Sequence, residues 1–416
     1  MAAGKAGEVE RARRVPGQVK GPFVDVRMRG FAERSSLQAA LAWVDAAARR
    51  LAAEAVKPEE AAGRVLTGAA PVVPVEPARA VEDGYAVRAQ QTVGASPYGP
   101  LLLRLQDGGA PLGGDGAALV VAGRTLPAGA DAILPFAAAQ ARGAFLEVLT
   151  PSAVGVGVER RDEGARAVAA LPPTRPLRPQ DAALLATLEV GSIEVVRRPR
   201  VRVVVAGPKR RADHLATADA CGPLLKALLA RDGALAEVLP PAEGRRGLAA
   251  ALAAAGGPDA VLVAGRSAVG PDDDAPGALA DVGELSLHGL AIRPGGSAGL
   301  GFCGGAPVVL LPGDPLGCLF AYELVAGRLI RRLGGRDPAL PHVLCEAELA
   351  RKVVSAIGFL EACSVRMVDG RAEPTGSPDE AGLASAVRAD GFVLVPEALE
   401  GYPAGTRVAV HLYQPG

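Results

Sequence analysis

Aromatic side chains are scarce in this 416-residue chain: one Trp, five Tyr and eight Phe, 3% of all positions. Any core must therefore be built from Ala, Val and Leu, and an apolar fraction of 49% is enough to build one. Net charge is missing as well, because 45 basic residues balance 45 acidic ones. With no global field, recruitment of nucleic acid or of an anionic membrane is not expected. Four unclustered histidines argue against a zinc site. The five cysteines (Cys221, Cys303, Cys318, Cys345, Cys363) are dispersed without Cys-x-x-Cys spacing, as buried thiols in a reducing cytoplasm would be. No apolar run reaches transmembrane length. Residues 1–30 lean basic without the apolar stretch of a signal peptide and read as a solvated, disordered tail.

What is present divides by texture, and the length points to three or four domains. Apolar positions Leu37, Ala40, Leu41, Val44, Ala47 and Leu51 recur at helical spacing behind Ser35-Ser36, predicting an amphipathic helix over 36–56. From about 68 to 150, short apolar runs broken by Gly and Pro predict a small β-rich module. A short helix is expected over 179–188, with Pro179 in its first turn. Residues 200–335 alternate strand and helix, with strands at 201–206, 234–239, 259–264 and 307–311, the pattern of a parallel sheet covered on both faces. Residues 342–416 return to β texture and end in a strand at 406–412.

Chemistry concentrates at the carboxyl ends of two of those strands, where ligands of such sheets bind. One strand runs into Gly265, Arg266, Ser267 and Gly270. The other runs into Leu311-Pro312-Gly313-Asp314-Pro315 and a helix from about 316 to 333. A glycine between two prolines brings bare backbone close to the helix N-terminus, where unpaired N–H groups favour an anion.

That Pro-Gly-Asp-Pro turn resembles the Pro-Gly-Asn-Pro of the molybdopterin molybdenumtransferase family, to which the E domain of gephyrin belongs. Five further segments are similar to family motifs in the same order. Glu82-Asp83-Gly84-Tyr85-Ala86-Val87 resembles Met-Asp-Gly-Tyr-Ala-Val, and Gly129-Ala130-Asp131-Ala132-Ile133 resembles Gly-Ala-Asp-Ala-Val. Gly265-Arg266-Ser267-Ala268-Val269-Gly270 stands at the Gly-Gly-Val-Ser-Val-Gly loop, and Ile292-Arg293-Pro294-Gly295 at Lys-Pro-Gly-Lys-Pro. Residues 383–392 resemble the C-terminal barrel. The resemblance implies a multi-domain α/β fold. Its parts would be a platform of helix and strand (31–67 and 151–197), the β-rich module (68–150), a doubly wound molybdopterin-binding domain (198–335) and a C-terminal β-barrel (342–416).

It also implies molybdenum insertion from molybdate into adenylylated molybdopterin with Mg²⁺, in the cytoplasm, by a homodimer in which Asp83 and Asp131 face the partner's pterin loop. Carried over by position, the catalytic candidates are Asp83, Asp131, Asp162 and Arg293. The molybdopterin contacts would be Gly265, Arg266, Ser267, Gly270, Pro312, Gly313, Asp314 and Pro315, and the metal ligands Asp219 and Asp273. Each acid has a plainer reading. Asp83 suits a turn, Asp131 a strand-start cap, Asp219 a helix N-cap, and Asp273 a solvated acidic run. Departures cluster in the motifs: Pro208 and Pro271 replace acids, Arg266 a glycine, Arg293 and Gly296 two lysines, and Asp314 an asparagine. They leave open a second function, a non-catalytic molybdopterin-binding homologue acting as cofactor carrier or partner of an active paralogue.

Overall fold

The computed structural model describes residues 24–72, 78–159, 161–207, 218–376 and 382–413, without the side chains of 161–163, 218 and 219. The chain divides into two compact units, Ala55–Val195 and the remainder.

In the larger unit, the helix expected over 36–56 spans only Leu37–Ala47, capped by Ser36, whose Oγ accepts the Ala39 N–H at 3.1 Å. It buries Ala40, Trp43 and Val44. The apolar rhythm continues past Ala47, but the backbone there pairs elsewhere. The Leu51 N–H donates to the Leu333 carbonyl at 3.0 Å, and Ala53–Val56 is a strand. Tertiary pairing outweighs local propensity at this point. Residues 24–30, expected in the disordered tail, are instead held: the Met28 N–H donates to Val269 O at 2.7 Å, and Arg27 pairs with Asp274 at 2.7 Å. Residues 1–23 lie outside the described residues.

The central sheet has the order Leu235–Val238, Arg200–Val205, Ala260–Ala264, Ala306–Leu311, Gly299–Cys303, Gly283–His288. Its first four strands are parallel, as expected, but the last two are joined by antiparallel pairing, Gly299–Cys303 running against all the others, and make the sheet mixed. These two carry glycines where the neighbouring backbone approaches closely. A Cβ at Gly301 would collide with the Glu284 carbonyl. Alternation along the strands serves two cores. Val201, Val203, Leu262, Val309 and Leu311 face the helices that carry Leu225, Leu229 and Phe320. Val204, Val261, Val263, Val308 and Leu310 face those that carry Leu248, Leu252 and Leu279. This is a doubly wound layer arrangement built from Ala, Val and Leu.

The helix after the second turn begins at Pro315 and reaches Leu333, with a π-helical turn at Tyr322–Ala326. Beyond it, Leu360–Val368, Arg371–Pro374, Val343–Leu349, Arg407–Leu412 and Gly391–Val395 pair in a ring that closes on its first strand, a five-stranded barrel. Strand Ile292–Arg293 of the central domain joins its rim, parallel to Leu360 and Glu361.

The unit Ala55–Val195 contains a six-stranded sheet between Gly84 and Val148, with Gly84–Val87 next to Gly116–Val120 and Ala132–Pro135. Helices Arg161–Ala169 and Pro179–Thr187 belong to the same unit.

Candidate functional site

Two neighbouring parallel strands deliver the two turns side by side. Ala260–Ala264 pairs with Ala306–Leu311 up to Ala264 opposite Leu311, and the Gly265 N–H extends the ladder to Leu311 O at 3.0 Å. Gly265 has φ +94°, a conformation glycine adopts freely. A Cβ on Gly313 would lie 3.1 Å from the Gly265 Cα, so the turns meet backbone to backbone.

Arg266, where the family motif has a glycine, holds φ +56°, a left-handed backbone. That costs a side-chain-bearing residue about 1 kcal/mol. Its guanidinium pairs with Asp272 at 3.1 Å. Ser267 is buried and donates to Leu311 O at 3.0 Å, with its Oγ 3.3 Å from that of Ser297. Asp273 turns back on its own loop and accepts the Gly270 N–H at 2.6 Å. The acidic run is therefore not simply a solvated loop: Asp272, Asp273 and Asp274 each have a partner.

At the second turn Asp314 caps the helix, accepting the Gly317 N–H at 2.6 Å with Pro315 in the first turn. It thus keeps the capping chemistry of an asparagine while adding a charge. Beside it opens a pocket of about 300 Å³ bordered by Arg34, Arg293, Ser297, Pro312, Asp314 and Phe359. Arg293 is exposed, with its guanidinium carbon 4.3 Å from the centroid of the Phe359 ring. Arg34 and Phe359 were not among the sequence candidates. Neither lies in a motif, and both arrive through strand pairing: Ser35 bridges to Leu290, and Leu360 pairs with Ile292.

Gly265, Arg266, Ser267, Gly270 and Asp273 thus share one loop, next to Pro312, Gly313, Asp314, Pro315 and the pocket with Arg293. The remaining acids stand elsewhere. Asp83 and Asp131 belong to the unit Ala55–Val195. Asp83 is exposed in a turn and accepts the Ala122 N–H at 2.8 Å. Asp131 accepts the Ala89 N–H at 2.7 Å, at the start of the 3₁₀ turn Ala89–Thr92. Asp162 lies in helix Arg161–Ala169, its side chain outside the described residues. Asp219 falls within the first turn of helix Ala218–Arg231 rather than capping it from outside, and its side chain is also outside the described residues. Among the described residues no group of three or more His, Cys, Asp or Glu side chains is placed to hold a metal ion. No described helix is long and apolar enough to cross a membrane.

Three family models match the chain in succession. The MoeA N-terminal region (domains I and II) covers residues 35–188, the molybdopterin binding domain 202–332, and the MoeA C-terminal region (domain IV) 346–413. The chain is 26% identical over 354 residues to a molybdopterin biosynthesis protein of Methanocaldococcus jannaschii, across 80% of this chain and 85% of the relative. It is 26% identical over 364 residues to the molybdopterin molybdenumtransferase of Bacillus subtilis, across 80% and 83%. Among solved structures, a molybdopterin biosynthesis MoeA protein of Pyrococcus horikoshii superposes with TM-score 0.67 at 26% identity, covering 92% of this chain and all of the other.

Proposed function

The chain belongs to the MoeA-like family of molybdopterin molybdenumtransferases, and from that premise we propose that it acts in molybdenum cofactor biosynthesis. It cleaves the adenylate of adenylylated molybdopterin and leaves molybdenum, delivered as molybdate, on the dithiolene sulfurs. The observation that carries this reading is the meeting of the two turns, Gly265 against Gly313, at the carboxyl ends of adjacent parallel strands beside a cationic pocket. Bare backbone at the first turn and the backbone of Ser267 and Gly270 suit the pterin and its phosphate, and Arg293 suits an oxyanion.

Magnesium enters the proposal through the family resemblance alone. Asp273 is engaged by its own loop, and among the described residues no group of three or more His, Cys, Asp or Glu side chains is placed to hold the ion. A non-catalytic carrier is the less favoured reading, because relatives matched along four fifths of the chain are named as the transferase. The test is a single turnover with adenylylated molybdopterin and molybdate, run beside the Bacillus subtilis enzyme. AMP release and metal insertion within about tenfold of that reference are expected, a margin of about 1.4 kcal/mol in barrier. Pterin binding without AMP release would return the chain to the carrier reading.

A homodimer in the cytoplasm is part of the proposal, supported by the family resemblance and by exposed apolar Leu102, Leu119 and Val121 on the smaller unit. Light scattering should give twice the chain mass of 42.0 kDa; a stable 42.0 kDa species at micromolar concentration would defeat it.

A further inference from the structure

Gly296 stands where the family motif carries its second lysine, and the space a side chain would enter there is already occupied. A Cβ built on Gly296 would lie 2.8 Å from Nη1 of Arg34. Arg34 comes from the segment before the first helix, 262 positions away in sequence. It is held there by three kinds of contact. Backbone bonds on both sides of Ser35 tie the segment to the central domain, Ser35 N–H to Gly289 O at 2.9 Å and Ala291 N–H to Ser35 O at 2.8 Å. Nη1 donates to the carbonyls of Gly296 and Leu290. The guanidinium carbon also lies 4.4 Å from the centroid of the Phe31 ring.

Arg34 and Arg293 share a second ring, at 5.7 and 4.3 Å from the Phe359 centroid. Neither has a carboxylate partner among the described residues. Partial burial and the charge of Arg293 both hold the Arg34 pKa below its usual value. The charged side chains bordering the pocket are therefore two guanidiniums and one carboxylate, Asp314, whose Oδ1 already accepts the Gly317 N–H. Two like charges held on one ring are unfavourable until an anion lies between them. Among the described residues Arg34 donates through Nη1 alone, so Nε and Nη2 keep donors for a ligand.

We propose that Arg34 is the second cation of the oxyanion subsite, replacing in space the lysine that Gly296 removes, so that molybdate is held between Arg34 and Arg293 beside Phe359. The inference rests on the reading of this pocket as the place where molybdate is received. A tetrahedral dianion can accept forked N–H donors from both guanidiniums, a more directional grip than an ammonium provides.

The experiment is calorimetric titration of molybdate into the full chain, with and without molybdopterin, for wild type and Arg34→Ala, Arg34→Gln, and Arg34→Ala with Gly296→Lys. Molybdopterin affinity and thermal melting are measured on each. Both single variants should lose about tenfold or more in molybdate affinity while keeping molybdopterin affinity. The double variant should recover part of that loss, since without Arg34 a lysine at 296 meets only the Ile292 and Leu290 carbonyls, 3.0 and 3.3 Å from its Cβ. If Arg34→Ala fails to fold, Arg34→Gln carries the test, its amide keeping a donor for the two carbonyls. Molybdate affinity within twofold of wild type in a folded single variant, or no recovery in the double variant, would overturn the role of Arg34 alone. A wild type that binds molybdopterin but no molybdate would overturn the subsite. A wild type that binds molybdate through Arg34 but no molybdopterin would overturn the functional reading and leave this one standing.

Discussion

Gly313→Val should weaken molybdopterin binding by about tenfold or more, about 1.4 kcal/mol. The first atom of the new side chain would lie 3.1 Å from the Gly265 Cα, closer than a methyl and a backbone carbon rest comfortably. Valine then adds two methyls on the same carbon, and no flexible side chain stands in the way that could yield. The opposing turn cannot retreat freely. Gly265 is tied to Leu311 through its N–H, and the Ala206 carbonyl also crowds it, 3.1 Å from where a Cβ would stand. The turns must part, and the backbone groups they present to the pterin part with them. Calorimetry with molybdopterin reads the effect, and thermal melting separates it from unfolding. Unchanged affinity in a folded variant would remove this edge from the candidate site.

The largest loss of stability is expected from Asp232→Ala. Asp232 is 1% exposed and follows directly on helix Ala218–Arg231. Its carboxylate accepts from Tyr322 Oη at 3.0 Å, Arg331 Nη1 at 3.0 Å and Arg231 Nε at 3.2 Å. Arg331 is itself 3% exposed. Truncation leaves a buried guanidinium without its counter-charge and a buried phenol without its acceptor, and such losses cost about 3–5 kcal/mol. In the intact protein burial first, and then the Asp232 charge, push the Tyr322 phenol well above its usual pKa, so the hydroxyl is protonated and donates to the carboxylate. Denaturant titration monitored on the larger unit should show the loss. Asp232→Asn should lose less, because it keeps an acceptor oxygen. A fall below about 1 kcal/mol for the alanine variant would mean that the network relaxes and admits water.

The parallel strands of the central sheet are legible because Val, Leu and Ala dominate them on both faces, although Arg202 and Glu237 interrupt the apolar run in two of the four. The antiparallel pair Gly283–His288 and Gly299–Cys303 is not, since its glycines serve close backbone approach and break the run. The first helix is legible in its start, which one serine fixes locally, and not in its end, which depends on Leu333 far along the chain. The same division runs through the site. Gly265, Gly313 and Asp314 can be read because each answers to its own neighbours in a turn or cap. Arg34 and Phe359 cannot, because nothing local distinguishes an arginine or a phenylalanine that strand pairing will carry to a pocket. Counting motif letters registers a lost lysine at Gly296, whereas the fold places a different cation in the same space.

The ring shared by Arg34 and Arg293 has a consequence for the order in which this protein is made. Arg34 leaves the ribosome first, Arg293 about 260 residues later, and Phe359 only with the C-terminal barrel. The central sheet has all its strands by Cys303 and Leu311 and can fold while translation continues. The pocket cannot, because its aromatic wall is still in the ribosome when both cations are already outside. Until Leu360 pairs with Ile292, Arg293 has no ring to lie on. A chain that stalls or is cut before residue 359 would thus carry a folded pterin edge beside an unfinished anion site, and could hold one substrate without gripping the other.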